Sequence, residues 1–173
     1  MMILTRPSLH YKESLLEYKN TFIERKESIA GGSFLRDFDT VEEWLDFIQQ
    51  LEHIETTPKH LVSALAFILV DTTSEKVIGM CDLRLSLAIP YLKEFGGHVG
   101  YSIHPDYRKN GYGKLQLHLL LKEAKKVGFE KVLVTCDEEN RASAKIIESN
   151  NGVLEKVVFD EEGNGYKRYW INL

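Results

Sequence analysis

Residues Gly97 to Lys114 read GHVGYSIHPDYRKNGYGK. A short apolar strand, His98 to Ile103, ends at Pro105. A basic turn carrying Arg108 and Lys109 follows, and Gly111 and Gly113 open a helix. That helix has apolar residues at Leu117, Leu120, Leu121, Ala124 and Val127, the stripe of a helix facing a core. A strand feeding a glycine-bearing turn at a helix start is a natural anion site. The first N–H groups of a helix have no partner inside it, and the helix dipole adds partial positive charge at the same place. Glycine lets a phosphate approach the backbone closely. The stretch therefore proposes a diphosphate cradle.

Three phosphate loops compete for it. A Walker A loop requires a hydroxyl after Gly-Lys, but Lys114 is followed by Leu115, and position 108 is Arg where that loop has Gly. A dinucleotide fingerprint places Gly111 and Gly113 well but finds Gln116 where its third glycine belongs. The third pattern, R-x-x-G-x-G, is met by Arg108-Lys109-Asn110-Gly111-Tyr112-Gly113. Downstream, Gly128 stops the helix, Lys131–Cys136 reads as a buried strand, and Asn140 caps a helix from Arg141 to Ser149 that ends at Asn150-Asn151-Gly152.

In this setting the R-x-x-G-x-G loop resembles the pyrophosphate loop of the GNAT acyl-CoA-dependent N-acetyltransferases. Asn140-Arg141-Ala142-Ser143, running on to Gly152-Val153, resembles the second signature of that family, and the combination looks most like its bacterial "predicted acetyltransferase" branch. The resemblance covers Lys76 to Leu173 and implies acetyl-CoA as co-substrate. It implies that backbone groups of Ser102, Ile103 and His104 line the pantetheine arm. The loop Arg108, Lys109, Asn110, Gly111, Tyr112, Gly113 and Lys114 would hold the pyrophosphate. Asn140 and Ser143 would touch the pantetheine and nucleotide side. It also implies that the strand before the loop and the strand after the helix splay apart to admit the acyl-CoA. The family often carries a tyrosine that protonates the departing thiolate; here that position is Ile147.

The rest of the chain supplies a matching frame. Ile3–Arg6 reads as a strand, and Ser8 as the cap of a helix running to Lys26. Ala30-Gly31-Gly32-Ser33 reads as a flexible break. Thr40-Val41-Glu42-Glu43 is a capping box for a helix through Leu51. Leu61–Val70 and Val77–Leu87 form a hairpin, Ala88–Gly97 is a long connection, and Val153–Phe159 with Gly165–Asn172 form a terminal hairpin. The order β-α-α-β-β-β-α-β-α-β-β predicts one α/β (α+β) domain over residues 1–173, a GNAT-like mixed, mostly antiparallel sheet flanked by helices. With 43% hydrophobic and 28% charged residues the composition is that of a globular domain. The net charge of −4 and the lack of a basic stripe argue against nucleic acid as a partner. No apolar run approaches a membrane span, and no signal peptide is seen. Cys81 and Cys136 fall in strands without C-x-x-C spacing, as reduced thiols of a cytoplasmic protein would. The histidines show no metal-ligand spacing, so no metal is expected.

The implied reaction is attack of a primary amine, on a small molecule or a protein, on an acetyl thioester. It needs proximity, donors for the oxyanion, a base for the amine and a proton for the thiolate. An N–H near Ile103 is a candidate oxyanion donor. His98 leads as base, with a strand histidine satisfied by a neighbour as the alternative; Asp82 and Glu94 stand behind it. Tyr101 and Tyr169 are candidate acids, or core tyrosines. Arg108 and Lys109 are phosphate ligands or solvated charges. Asp37, Asp39, Glu42, Glu43 and Asp46 form a cation-attracting rim, or simply favour the start of the second helix. Two further readings stay open: a non-catalytic acyl-CoA-binding regulatory domain and a nucleotide-phosphate binder. A homodimer through the terminal hairpin or a sheet edge is a candidate assembly.

Overall fold

The computed structural model describes residues 1–173. In it the chain runs β1 (Met2–Thr5), α1 (Lys12–Glu24), α2 (Val41–Gln50), β2 (Ala64–Asp71), β3 (Lys76–Arg84) and β4 (Val99–Ile103). It continues through α3 (Tyr112–Lys126), β5 (Lys131–Asp137), α4 (Arg141–Glu148), β6 (Val153–Phe159) and β7 (Gly165–Asn172). The order is the expected one. The strands form a 7-stranded sheet in the order β1-β2-β3-β4-β5-β7-β6. All neighbours are antiparallel except β4 and β5, which α3 joins as a parallel crossover. That pair is registered only through Val99 opposite Val134, so beyond this point the two strands diverge.

Helices cover both faces of the sheet. On one side α1 and α2 bury Leu15, Tyr18, Phe22 and Trp44 against Ala66, Ile68, Val70 and Met80. On the other, α3 and α4 bury Leu117, Leu120, Ala124 and Ile147 against Phe67, Val132, Val134 and Tyr169. Alternate residues of β2 therefore enter different cores, and a strand covered on both faces reads as an unbroken apolar run. Gln116 on α3 is fully buried and its Nε2 donates to the carbonyls of Met80 (3.1 Å) and Ser102 (3.2 Å). This side chain pins the helix to β3 and β4 beside the point of divergence.

Three local readings are corrected. Ser8 makes no side-chain cap; a 3-10 turn at Leu9–Tyr11 precedes α1, which starts at Lys12. The segment at Gly31, Gly32 and Ser33 is buried and packed, not a flexible break. A Cβ at Gly31 would stand 2.4 Å from the Gly100 carbonyl oxygen, so only glycine admits this crossing over β4. The long connection before β4 contains a π-helical turn, Leu92–Gly96. Thr40 does cap α2, its Oγ1 accepting from the Glu43 N–H at 3.2 Å. No helix is long and apolar enough to cross a membrane.

Candidate active site

The site is built on the free side of β4. The Arg84 N–H donates to the His98 carbonyl (2.7 Å) and the His104 N–H to the Ile78 carbonyl (2.8 Å). These fix which residues of β4 hydrogen-bond to β3. By the alternation of antiparallel pairing, the backbone groups of Tyr101 and Ile103 point the other way, into the space β5 has left. The chain then turns through Pro105–Tyr107, with Lys109 (φ 62°) and Gly111 (φ 81°) in the left-handed region. Asn110 Nδ2 clamps the turn by donating to the carbonyls of Tyr107 (3.1 Å) and Arg108 (3.0 Å). Gly111 precedes α3 without any side-chain cap, so the N–H groups of Tyr112, Gly113 and Lys114 are left for a ligand. A Cβ at Gly113 would stand 2.5 Å from Ile146 Cδ1, which shows how closely α4 approaches the cradle.

A cavity of about 560 Å³ opens here. Its walls include Ser102, Ile103, the loop residues Arg108, Lys109, Gly111, Tyr112, Gly113 and Lys114, and Asn140 and Ser143 across the gap. Asn140 Oδ1 caps α4 by accepting from the Ser143 N–H at 3.0 Å. Tyr101 Oη hydrogen-bonds Ser143 Oγ, and burial pushes the phenol's pKa up. Arg108 Nε donates to the Ile103 carbonyl (3.1 Å) and its guanidinium lies 5.6 Å from the Phe22 ring centre. Its Nη2 meets Glu27 Oε2 at 2.5 Å. The hydrogen bond from Arg108, with a second from Arg25, holds the Glu27 carboxyl below its ordinary range. The open helix start, the left-handed glycine and the basic turn fit the diphosphate and pantetheine of acetyl-CoA.

A second cavity of about 530 Å³ lies beyond the loop that crosses β4. Ser28 lines both. Asp82 lies on the wall of the second cavity, 6% exposed. Its Oδ1 accepts from the Gly100 N–H (3.1 Å) and lies 3.5 Å from Arg84 Nη2, and its Oδ2 accepts from Ser33 Oγ (3.2 Å). Arg84 is itself held by the carbonyls of Gly96 and Gly97.

Other candidates lie elsewhere. His98 lines neither cavity. Its Nδ1 accepts from the Leu133 N–H at 2.9 Å, and its ring packs edge-on to Phe129 and Trp170. Burial, with help from Arg84, lowers its pKa to about 4. The geometry is that of the satisfied strand histidine: Nδ1 is committed as an acceptor and holds no proton near neutrality. Tyr169 also lies outside both cavities; its hydroxyl donates to Glu148 Oε1 (2.9 Å), and burial pushes its pKa up to about 12. His104 lies off the cavity too, with Nδ1 accepting from the Asp106 N–H. Ser102 turns its hydroxyl toward Tyr18, at 2.9 Å. The carbonyl of Glu94 accepts from Arg168, and the residue lines neither cavity. Ile147 is fully buried, so that position offers no protic group to the cleft. No group of three or more His, Cys, Asp or Glu side chains is placed to hold a metal ion. Sequence reasoning missed Glu27, Ser33 and Arg84. Only the glycine pair Gly31-Gly32 hinted that this segment crosses the sheet.

Residues 16–152 match the family model of the acetyltransferase (GNAT) domain. None of the proteins with curated functions matches in sequence. Among solved structures, the chain resembles the microcin C7 self-immunity acetyltransferase in complex with acetyl-CoA and AMP (18% identity, TM-score 0.68, 99% of this chain and 92% of that one). It also resembles the ribosomal-protein-S5-alanine acetyltransferase of Vibrio fischeri (19%, 0.66, 99% and 91%). A third likeness is to a spermidine N-acetyltransferase mutant from Vibrio cholerae (16%, 0.64, 98% and 94%). At these identities the structures testify to the fold, while the family model covers most of the sequence. The chain belongs to the GNAT acetyltransferase family.

Proposed function

We propose that this protein transfers an acetyl group from acetyl-CoA to a primary amine by direct attack in a ternary complex. The observation that supports it most is the presence of two neighbouring cavities with Ser28 on the walls of both, one on the anion cradle and one on a buried carboxylate. The amine nitrogen attacks the thioester carbonyl carbon, the C–S bond breaks, and sulfur leaves with the electron pair. Asp82 receives the proton the amine loses. The Tyr101–Ser143 hydroxyl pair supplies a proton to the sulfur, and is restored from solvent. A backbone N–H on the free side of β4 steadies the oxyanion. The N–H groups at the start of α3, with Lys109, hold the pyrophosphate. Residues Arg108 to Lys114, Ile103, Asn140 and Ser143 thus form the co-substrate site in this reading.

The buried Ile147 favours a second reading, a non-catalytic acyl-CoA-binding domain. Calorimetric titration with acetyl-CoA, beside ATP and NAD, tests the shared part of both. Saturable binding of acetyl-CoA alone is expected, and equal binding of ATP or NAD overturns it. Release of free thiol from acetyl-CoA on adding amines then separates enzyme from binding module.

A further inference from the structure

The second cavity has a composition that the transfer reaction alone does not require. Its carboxylates are Asp82 and the exposed Asp37, and against them stand Arg84, Arg36 and His60. The acidic residues at the start of α2 do not enter it; Glu42 instead binds Lys12 Nζ at 2.5 Å. The two carboxylates are balanced by the two arginines, so the cavity has no net negative charge to gather several ammonium groups. The remaining wall is largely apolar. At its edge stand two aromatic rings left open to solvent, Phe34 at 50% and Tyr91 at 60% exposure.

Phe34 is held there against its own preference. Ser33 (φ 46°) and Phe34 (φ 66°) are consecutive non-glycine residues in the left-handed region, a conformation that L side chains rarely adopt. The strain is held by specific bonds. Trp44 Nε1 donates to the carbonyls of Gly32 (3.2 Å) and Ser33 (3.0 Å), and Ser33 Oγ donates to Asp82. The same bonds that fix the carboxylate also fix the ring on the cavity wall. Nothing in the hydrophobic core requires this ring, whose only aromatic neighbour is Phe47 at 5.8 Å.

Resting on the acetyl-transfer reading, we propose that the acceptor is a primary amine with a single positive charge on an apolar, preferably aromatic, body. Its nitrogen lies at Asp82 and its body against Phe34 and Tyr91. A cavity of about 530 Å³ holds one such small molecule. Polyamines are disfavoured by charge, since the cavity has no net negative charge to hold their distal ammonium groups.

Thiol release from acetyl-CoA is measured with 2-phenylethylamine, ethylamine and spermidine. The expected kcat/KM for 2-phenylethylamine is at least tenfold above that for spermidine. Phe34→Ala and Tyr91→Ala each lower it several-fold, and lower the ratio of 2-phenylethylamine to ethylamine kcat/KM several-fold. A preference for spermidine, or an aromatic amine indifferent to both substitutions, overturns the proposal. If no amine releases thiol, thermal stabilisation of the CoA-loaded protein by 2-phenylethylamine, lost in Phe34→Ala, upholds the site and removes the enzyme reading. Its absence removes the site. Failure to bind acetyl-CoA at all removes the transfer reading itself.

Discussion

Glu27 places a carboxylate in the cavity proposed to take the diphosphate. Its ion pair with Arg108 neutralises one of the cradle's cations, and an approaching diphosphate meets its negative charge. Glu27→Gln is expected to tighten acetyl-CoA about 1.5- to 5-fold, the span of a partly exposed ion pair, as read by calorimetry. His98 makes a different prediction. Its pKa in the folded protein, about 4, lies below the ordinary imidazole value of about 6.5. The unfolded chain therefore binds a proton more readily than the folded one. The stability held by neutral His98 is complete above pH 6.5 and drains away as pH falls toward 4. Integrated, the shift is worth about 3 kcal/mol. Thermal melts across that window check it, and His98→Asn flattens the slope. Legibility at this scale was uneven. Arg108 to Gly113 and Asn140 announce themselves because glycine and capping residues act through their own backbone. His98 ranks above Asp82 as base in the sequence, and the order is unsafe because their roles depend on what lies across the sheet: Ser33 and Gly100 for Asp82, the Leu133 N–H for His98.

Among the elements, α3 bears most on the site, and Gln116 is its anchor. Gln116→Leu keeps the volume but takes the donor from two buried carbonyls, at a cost of about 1–3 kcal/mol in urea unfolding. A weaker hold on β4 is expected to lower acetyl-CoA affinity in the same variant. A glutamine in the first turns of an amphipathic helix gives no sign in sequence that it will be buried. Its lodging depends on Gly79, where a Cβ would stand 2.0 Å from Gln116 Oε1. By contrast β6 and β7 were read to their last residues, because alternation and a turn rich in Glu, Gly and Asn delimit them. The crossing at Gly31 was misread for a physical reason. Glycine marks both loose turns and places where two backbones touch, and local sequence does not separate the two.

For the whole molecule, binding of acetyl-CoA to the folded state alone predicts stabilisation by mass action. At a hundredfold excess over Kd this is about 2.7 kcal/mol, or roughly 5–10 °C in Tm for a chain of this size. Scanning fluorimetry at increasing acetyl-CoA reads it directly, and a Tm that stays still counts against the cradle. The layered architecture was legible because the element order permits few arrangements, and helices on both faces explain the unbroken apolar strands. The point where β4 and β5 part was implied only by resemblance. It arises from register, which a single sequence does not state.

That parting divides the gene as well as the sheet. Strands β1 to β4 come wholly from the first part of the chain and β5 to β7 wholly from the last, paired across the sheet at Val99 and Val134, with His98 bonded to Leu133 beside them. The covalent link between them is α3 and the turn at Gly128, where a Cβ would meet nothing within 4 Å. Such a chain is suited to being made in two pieces. Residues 1–128 and 129–173, expressed together, each lack half of the shared core around Leu117 and Val134 and are driven to associate over it. The expected outcome is a reassembled complex that binds acetyl-CoA, with neither fragment binding it alone.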